Sequence, residues 1–163
     1  MDRRQIGLKL ALDRLGLPLK VDSFEDRLIL QKAIYLAQAA GVNLGYSFSW
    51  YLRGPYCPPV ADDGITVAEE LRQGMDESEG WALDPASAQK ATEIGRLFAA
   101  KGRTALAKKL ELLASVHFLI DRKQVVGRSP EKIATLLQKF GKKFNADDVE
   151  AALRELTDHG LLA

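Results

Sequence analysis

Across residues 46–53 the apolar period of this chain falls to two. Tyr46, Phe48, Trp50 and Leu52 share one face, and Ser47, Ser49, Tyr51 and Arg53 share the other. This is the clearest strand in the sequence. It runs directly into Gly54-Pro55-Tyr56-Cys57-Pro58-Pro59, where the prolines fix φ and restrict the residues before them, so the chain is expected to turn a rigid corner there. A solitary strand leaves its backbone donors and acceptors unpaired. The expectation is therefore one short β element over about residues 46–52, paired with the only nearby candidate, Gly80-Trp81-Ala82-Leu83.

The other periodic segments read as helices. Ile6, Leu8, Leu12 and Leu15 predict one that ends at Gly16-Leu17-Pro18. Asp22 with Glu25 forms a capping arrangement for the next, and Gly41 closes it. In that segment Ile29, Leu30, Ala33, Ile34, Leu36, Ala37 and Ala40 cover a broad apolar arc, with Gln31, Lys32, Tyr35 and Gln38 together on the other side. So wide an arc predicts the central helix of the fold. Pro58 opens helical pieces that reach Arg72, with a break expected at Gly64.

From Asp84-Pro85 onward helices follow one another. Ser129-Pro130 starts one with Ile133, Leu136, Leu137 and Phe140, and Asn145 with Asp148 caps another with Val149, Ala152, Leu153 and Leu156. Joined through Gly141, these two make a helix-turn-helix-like hairpin over 129–163. The fold class expected is mainly α: a compact helical bundle forming a single domain over 1–163, with one short β element.

Charge selects no partner class, since 23 Lys and Arg stand against 22 Asp and Glu. The N-terminal half is slightly acidic and the C-terminal half slightly basic, which places any anionic partner nearer the latter. A lone Cys57, a start without a secretory apolar region and no long apolar run lead to the expectation of a cytoplasmic protein with no membrane partner.

Catalytic chemistry finds few candidates. Two histidines and one cysteine make a zinc site improbable, no phosphate-binding glycine loop is present, and neither a metal nor a cofactor is expected. His117 falls on the Leu110, Leu113, Ile120 stripe, the place of a packing histidine, and Cys57 reads as a small apolar filler. The acidic pairs Asp62-Asp63, Glu69-Glu70 and Asp147-Asp148 read as solvated faces, because adjacent carboxylates on a helix diverge.

The C-terminal hairpin is open to two readings. Its cadence suits a nucleic-acid-binding regulator, with Arg122, Lys123, Arg128, Lys139, Lys142 and Lys143 as the candidate contacts. Its second helix, however, sets Asp147, Asp148, Glu150, Glu155 and Asp158 against one Arg154, and acids facing phosphates repel.

Residues 22–75 carry a pattern with a family resemblance. Leu30-Gln31-Lys32-Ala33-Ile34-Tyr35-Leu36-Ala37-Gln38, followed by Trp50-Tyr51-Leu52-Arg53-Gly54-Pro55-Tyr56, resembles the Panacea domain of SocA-like and phage GepA-like antitoxin-type proteins and their bacterial relatives. The resemblance implies a compact helical domain without catalytic activity. Its members act through protein partners, some as antitoxins against a toxin and some as adaptors to proteolysis. Carried over by position, the matching residues are Gln31, Lys32, Tyr35, Trp50, Gly54 and Pro55. Tyr35 and Trp50 suit a core equally well, and Gly54-Pro55 a required turn. Tyr46, Trp50, Tyr51 and Tyr56 add rigid aromatic area of the kind enriched in binding hot spots. The expected function is a non-enzymatic protein-interaction module, antitoxin- or adaptor-like. The expected partner surface is Gln31, Lys32, Tyr35, Trp50, Tyr51, Gly54, Pro55 and Tyr56. The alternative is a helix-turn-helix nucleic-acid-binding regulator.

Overall fold

A computed structural model describes all 163 residues. Seven helices and one hairpin follow in the order α1 (Arg3–Leu15), α2 (Phe24–Ala39), β1 (Ser49–Tyr51), β2 (Gly54–Tyr56), α3 (Pro58–Arg72), α4 (Pro85–Ile94), α5 (Arg103–Asp121), α6 (Pro130–Lys139) and α7 (Ala146–Asp158). The mainly helical bundle with a short β element is thus what the chain forms. No helix is long and apolar enough to cross a membrane.

The helix ends follow the capping chemistry of the sequence. Asp2, Asp84, Ser129 and Asn145 each accept from the backbone N–H three residues on, and Gly16 turns left-handed to end α1. At α2 the reciprocal pair is Ser23 with Asp26, one residue beyond the expected Asp22 and Glu25. Ser23 has the extended backbone an N-cap requires, and Asp26 is fixed further by Arg103, whose Nε donates at 2.8 Å.

The central pair is α2 against α5, which make the most extensive interhelical contact. On one side α1 packs on α2, α3 and α4, and on the other α7 packs on α5 and α6. One apolar cluster of 39 buried residues runs from Leu8 to Leu162, so both ends of the chain contribute to a shared core. Gly64 does not break α3. A Cβ there would stand 2.5 Å from Leu30 Cδ2, so the glycine lets α3 approach α2 closely.

The β element differs from expectation in partner and length. β1 pairs antiparallel with β2, Ser49 opposite Tyr56, Trp50 opposite Pro55 and Tyr51 opposite Gly54. Residues 80–83 form no strand. The first half of the expected corner, Gly54–Tyr56, is the second strand, because the reversal is complete within Leu52-Arg53 and the left-handed Gly54 (φ 99°). Pro55 fits there because alternate antiparallel pairs exchange no hydrogen bond, so its missing N–H costs the ladder nothing. Tyr46 lies outside the ladder, and its backbone is satisfied by Gln38, which donates to its carbonyl at 2.8 Å and accepts from its N–H at 2.9 Å.

Candidate docking site at the hairpin tip

The hairpin is held by side chains of α2 that take the place of a third strand. The Gln31 amide donates to the Cys57 carbonyl and accepts from the Cys57 N–H, both at 2.9 Å. Next to it Lys32 Nζ donates to the Pro55 carbonyl at 2.7 Å. These are the outward-pointing groups of β2 and of the residue just beyond it, so α2 closes that edge. Gln31, Lys32 and Tyr35 are all buried, which corrects the expectation that they face a partner. The polar side of α2 is an interior side whose hydrogen bonds are spent on the hairpin and on α5.

Tyr35 belongs to that interior as well. Its hydroxyl lies 2.7 Å from His117 Nδ1, while His117 Nε2 lies 3.2 Å from the Leu161 carbonyl. Since the carbonyl can only accept, Nε2 carries the proton and the Tyr35 hydroxyl donates to Nδ1. Burial pushes the His117 pKa down and that of Tyr35 up. Cys57 is buried immediately before α3, the filler its sequence context suggested.

Beneath the hairpin lies a charged cluster. A Cβ on Gly54 would stand 2.5 Å from Ser115 Oγ and 3.8 Å from Lys32 Nζ, so β2 meets α5 and α2 only as glycine. From the α6–α7 connection Lys142 enters, its Nζ 3.8 Å from Glu111 Oε1 and 5.7 Å from the Trp50 ring centroid. Arg53 Nη1 approaches the same Glu111 oxygen at 3.7 Å. Lys142 Nζ is buried with no hydrogen-bond partner. Burial pushes Lys32 down to about 7, helped by the like charge of Lys142, and pushes Lys142 down in turn.

Above the cluster the hairpin tip is exposed. Leu52 is 73% exposed, Tyr51 57%, Phe24 55% and Phe140 45%. Alternation along β1 sends Trp50 to one side, against Phe118 and Phe140 (ring centroids 5.6 and 4.9 Å), and Tyr51 to the other, against Tyr56 (5.4 Å). Two depressions flank the tip itself. One, of about 760 Å³, lies between the start of α2, the hairpin tip, α5 and the α6–α7 connection. The other, of about 380 Å³, is lined by Tyr51, Tyr56, Leu28 and the stems of α2. Phe24, Leu28, Leu52 and Arg53 border both, so the tip is a ridge between two hollows.

Of the expected contact residues, the site brings together Trp50, Tyr51 and Tyr56, while Gly54 and Pro55 are buried supports. Tyr46 is also interior, its hydroxyl donating to Asp63 at 2.7 Å. Asp63 is no solvated acid: it is buried and accepts in addition from Arg4 Nε at 2.8 Å and Gln5 Nε2 at 3.1 Å. Burial alone would raise its pKa, and these donors outweigh that and hold it below the usual carboxylate range. Sequence reasoning missed Phe24, Leu52 and Phe140 as surface. The signal for Phe24 was a large apolar side chain at the first helical position, outside the α2 stripe.

The basic residues of the nucleic-acid alternative do not converge. Lys142 is buried, which removes it from that set. Arg122 lies over the Phe118 ring at 4.8 Å and donates to the Phe48 carbonyl, and Arg128 donates to the Ala163 carbonyl at 2.7 Å. Lys123 follows α5 in a left-handed backbone conformation (φ 55°). Lys139 borders a shallow depression on α6, whereas Lys143 borders the large groove. The outer face of α7 presents Asp147, Glu150 and Asp158 beside Arg154. No three His, Cys, Asp or Glu side chains are placed to hold a metal ion. Compared with known families, characterised proteins and solved structures, the chain matches none.

Proposed function

We propose that this chain is a non-enzymatic binding module, antitoxin- or adaptor-like, that captures a protein partner on the ridge at its hairpin tip. The observation that carries the reading is four large apolar side chains, Phe24, Tyr51, Leu52 and Phe140, exposed around one rigidly supported turn. Contiguous apolar surface of this kind on a monomer marks an interaction site, and rigid aromatic rings lose little entropy on contact. The support beneath is stiff: the edge of β2 is bonded to Gln31 and Lys32, so little ordering remains to be done on binding.

His117 and Cys57 support the same reading, since both are interior and occupied with packing. A helix-turn-helix regulator has less support, because the outward residues of α7 are mainly acidic and would repel phosphates.

The test is photo-crosslinking in the native host with a photoreactive residue at position 52, and at the 91% exposed Val126 as control. A discrete protein adduct is expected from position 52, unchanged by nuclease, and none from 126. Equal adducts from both positions, or adducts that vanish with nuclease, would refute the reading.

A further inference from the structure

The groove on the Phe140 side of the ridge has a charge pattern that says what enters it. Its volume, about 760 Å³, lies in the range of sites that enclose a drug-sized ligand, enough for a few side chains of a peptide. Four cations border it: Arg53, Lys108 and Lys143, which are exposed, and Lys142, which is buried. Only two carboxylates do, and both are engaged. Glu25 accepts from Thr104 Oγ1 at 3.0 Å through both oxygens, and Glu111 is shared between Arg53 and Lys142 at 3.7 and 3.8 Å. Neither of those separations is a hydrogen bond.

Lys142 is the independent sign that this is a site and not a solvated surface. Its buried ammonium has no hydrogen-bond acceptor, Glu111 lying beyond hydrogen-bond reach at 3.8 Å, a costly arrangement that a nearby anion would relieve. Lys108 and Lys143 form no ion pair within the chain, so the rim is free to meet an incoming anion. Apolar walls stand beside these cations, in Phe24, Leu52 and Phe140. Charge and grease alternate around one concavity.

We infer that the groove takes an acidic segment of a protein partner, in which one or two carboxylates sit among the rim cations while a flanking leucine or aromatic side chain packs on Phe24, Leu52 and Phe140. This rests on the reading of the hairpin tip as a protein-docking ridge and specifies the chemistry of what docks. A nucleic acid would match the cations but not the three apolar walls, and a purely apolar helix would leave the cations unpaired.

The full chain is screened against an array of dodecapeptides in which aspartate and glutamate flank leucine and phenylalanine. Beside it stand the same peptides with each acid replaced by its amide, and again with each replaced by lysine. Fluorescence anisotropy then gives affinities for the strongest set. Acidic peptides are expected to bind at least tenfold more tightly than their amide counterparts, with affinity falling as salt rises from 50 to 300 mM, as for a site read by charge. The double variant Lys108→Glu with Lys143→Glu is expected to lose about tenfold or more, while Lys139→Glu, outside the groove, stays within about twofold. Circular dichroism confirms that each variant is folded.

Equal binding of acidic and amide peptides overturns the inference. So does an equal loss from Lys139→Glu, or a single-stranded oligonucleotide that binds as tightly as the acidic set. Absence of any peptide binding alongside a position-specific crosslink at residue 52 also overturns it, while leaving the docking ridge standing.

Discussion

Lys32 is the side chain whose removal tests the interior most directly. It is 2% exposed, its amine donates to the Pro55 carbonyl, and the charged groups facing it are Lys142, which repels it, and Glu111, which attracts it. Burial dominates and holds the amine at about 7, against 10.5 in an unfolded chain. Between those two values the unfolded chain binds the extra proton, so stability rises with pH across that window, at up to about 1.4 kcal/mol per unit. At pH 7 the folded amine is half charged and the slope is halved, which gives a gain of about 2 kcal/mol from pH 7 to 9.

Lys32→Met keeps the length of the side chain and abolishes the titration. It orphans the Pro55 carbonyl at a cost of about 1 kcal/mol that does not vary with pH. The raised amine of Met1 titrates in the opposite sense and the lowered amine of Lys142 in the same sense; both are present in both proteins, with Lys142 relieved of its like-charged neighbour in the variant, and the Tyr35 and Tyr46 hydroxyls are pushed above this window. Urea unfolding at pH 7, 8 and 9, followed by tryptophan fluorescence, should therefore show parent and variant diverging steadily, with the parent gaining. Parallel stability curves would refute the reasoning: they would mean that Lys32 stays charged in the fold and that Glu111 outweighs burial.

Three further outcomes are expected. Gln31→Leu orphans both backbone groups of Cys57 and should lower unfolding free energy by about 2–4 kcal/mol in urea melts. Gly64→Ala gains helix propensity but drives a methyl into Leu30, so it should destabilise by about 1–3 kcal/mol, and combination with Leu30→Ala should cost less than the sum of the two. His117 is held neutral by burial, its folded pKa below the unfolded value. The stability it confers is whole above about pH 6.5 and lost as pH falls through the folded pKa, so the urea midpoint should drop between pH 6.5 and 5. An unchanged midpoint would mean that the Tyr35–His117–Leu161 chain tolerates the proton.

Elements set by local chemistry were legible in the sequence. The caps at Asp84, Ser129 and Asn145, the left-handed Gly16 and the stripe of α7 all depend on residues within one or two turns. What escaped depends on distant partners. Gln31, Lys32 and Tyr35 look like a polar helix face until the hairpin and α5 close over them, and Asp63 looks solvated until Arg4, Gln5 and Tyr46 arrive from other segments. The pairing of β1 with β2 was hidden by Pro55, which argues against a strand unless its position in the ladder needs no donor. At the candidate site the aromatic ridge was partly visible as Trp50, Tyr51 and Tyr56. Phe140 was absorbed into a core stripe because it lies one residue beyond α6, where the helix no longer dictates its direction.

A two-stranded sheet has two flanks, and in this fold one of them is already occupied. With Cys57 and Pro55 tied to side chains of α2, no foreign backbone can align with Gly54–Tyr56. Any chain that lengthens the sheet must therefore arrive along Ser49–Tyr51. A partner added there would lie beside Trp50, and the edge it uses would be decided by a glutamine and a lysine on the far flank.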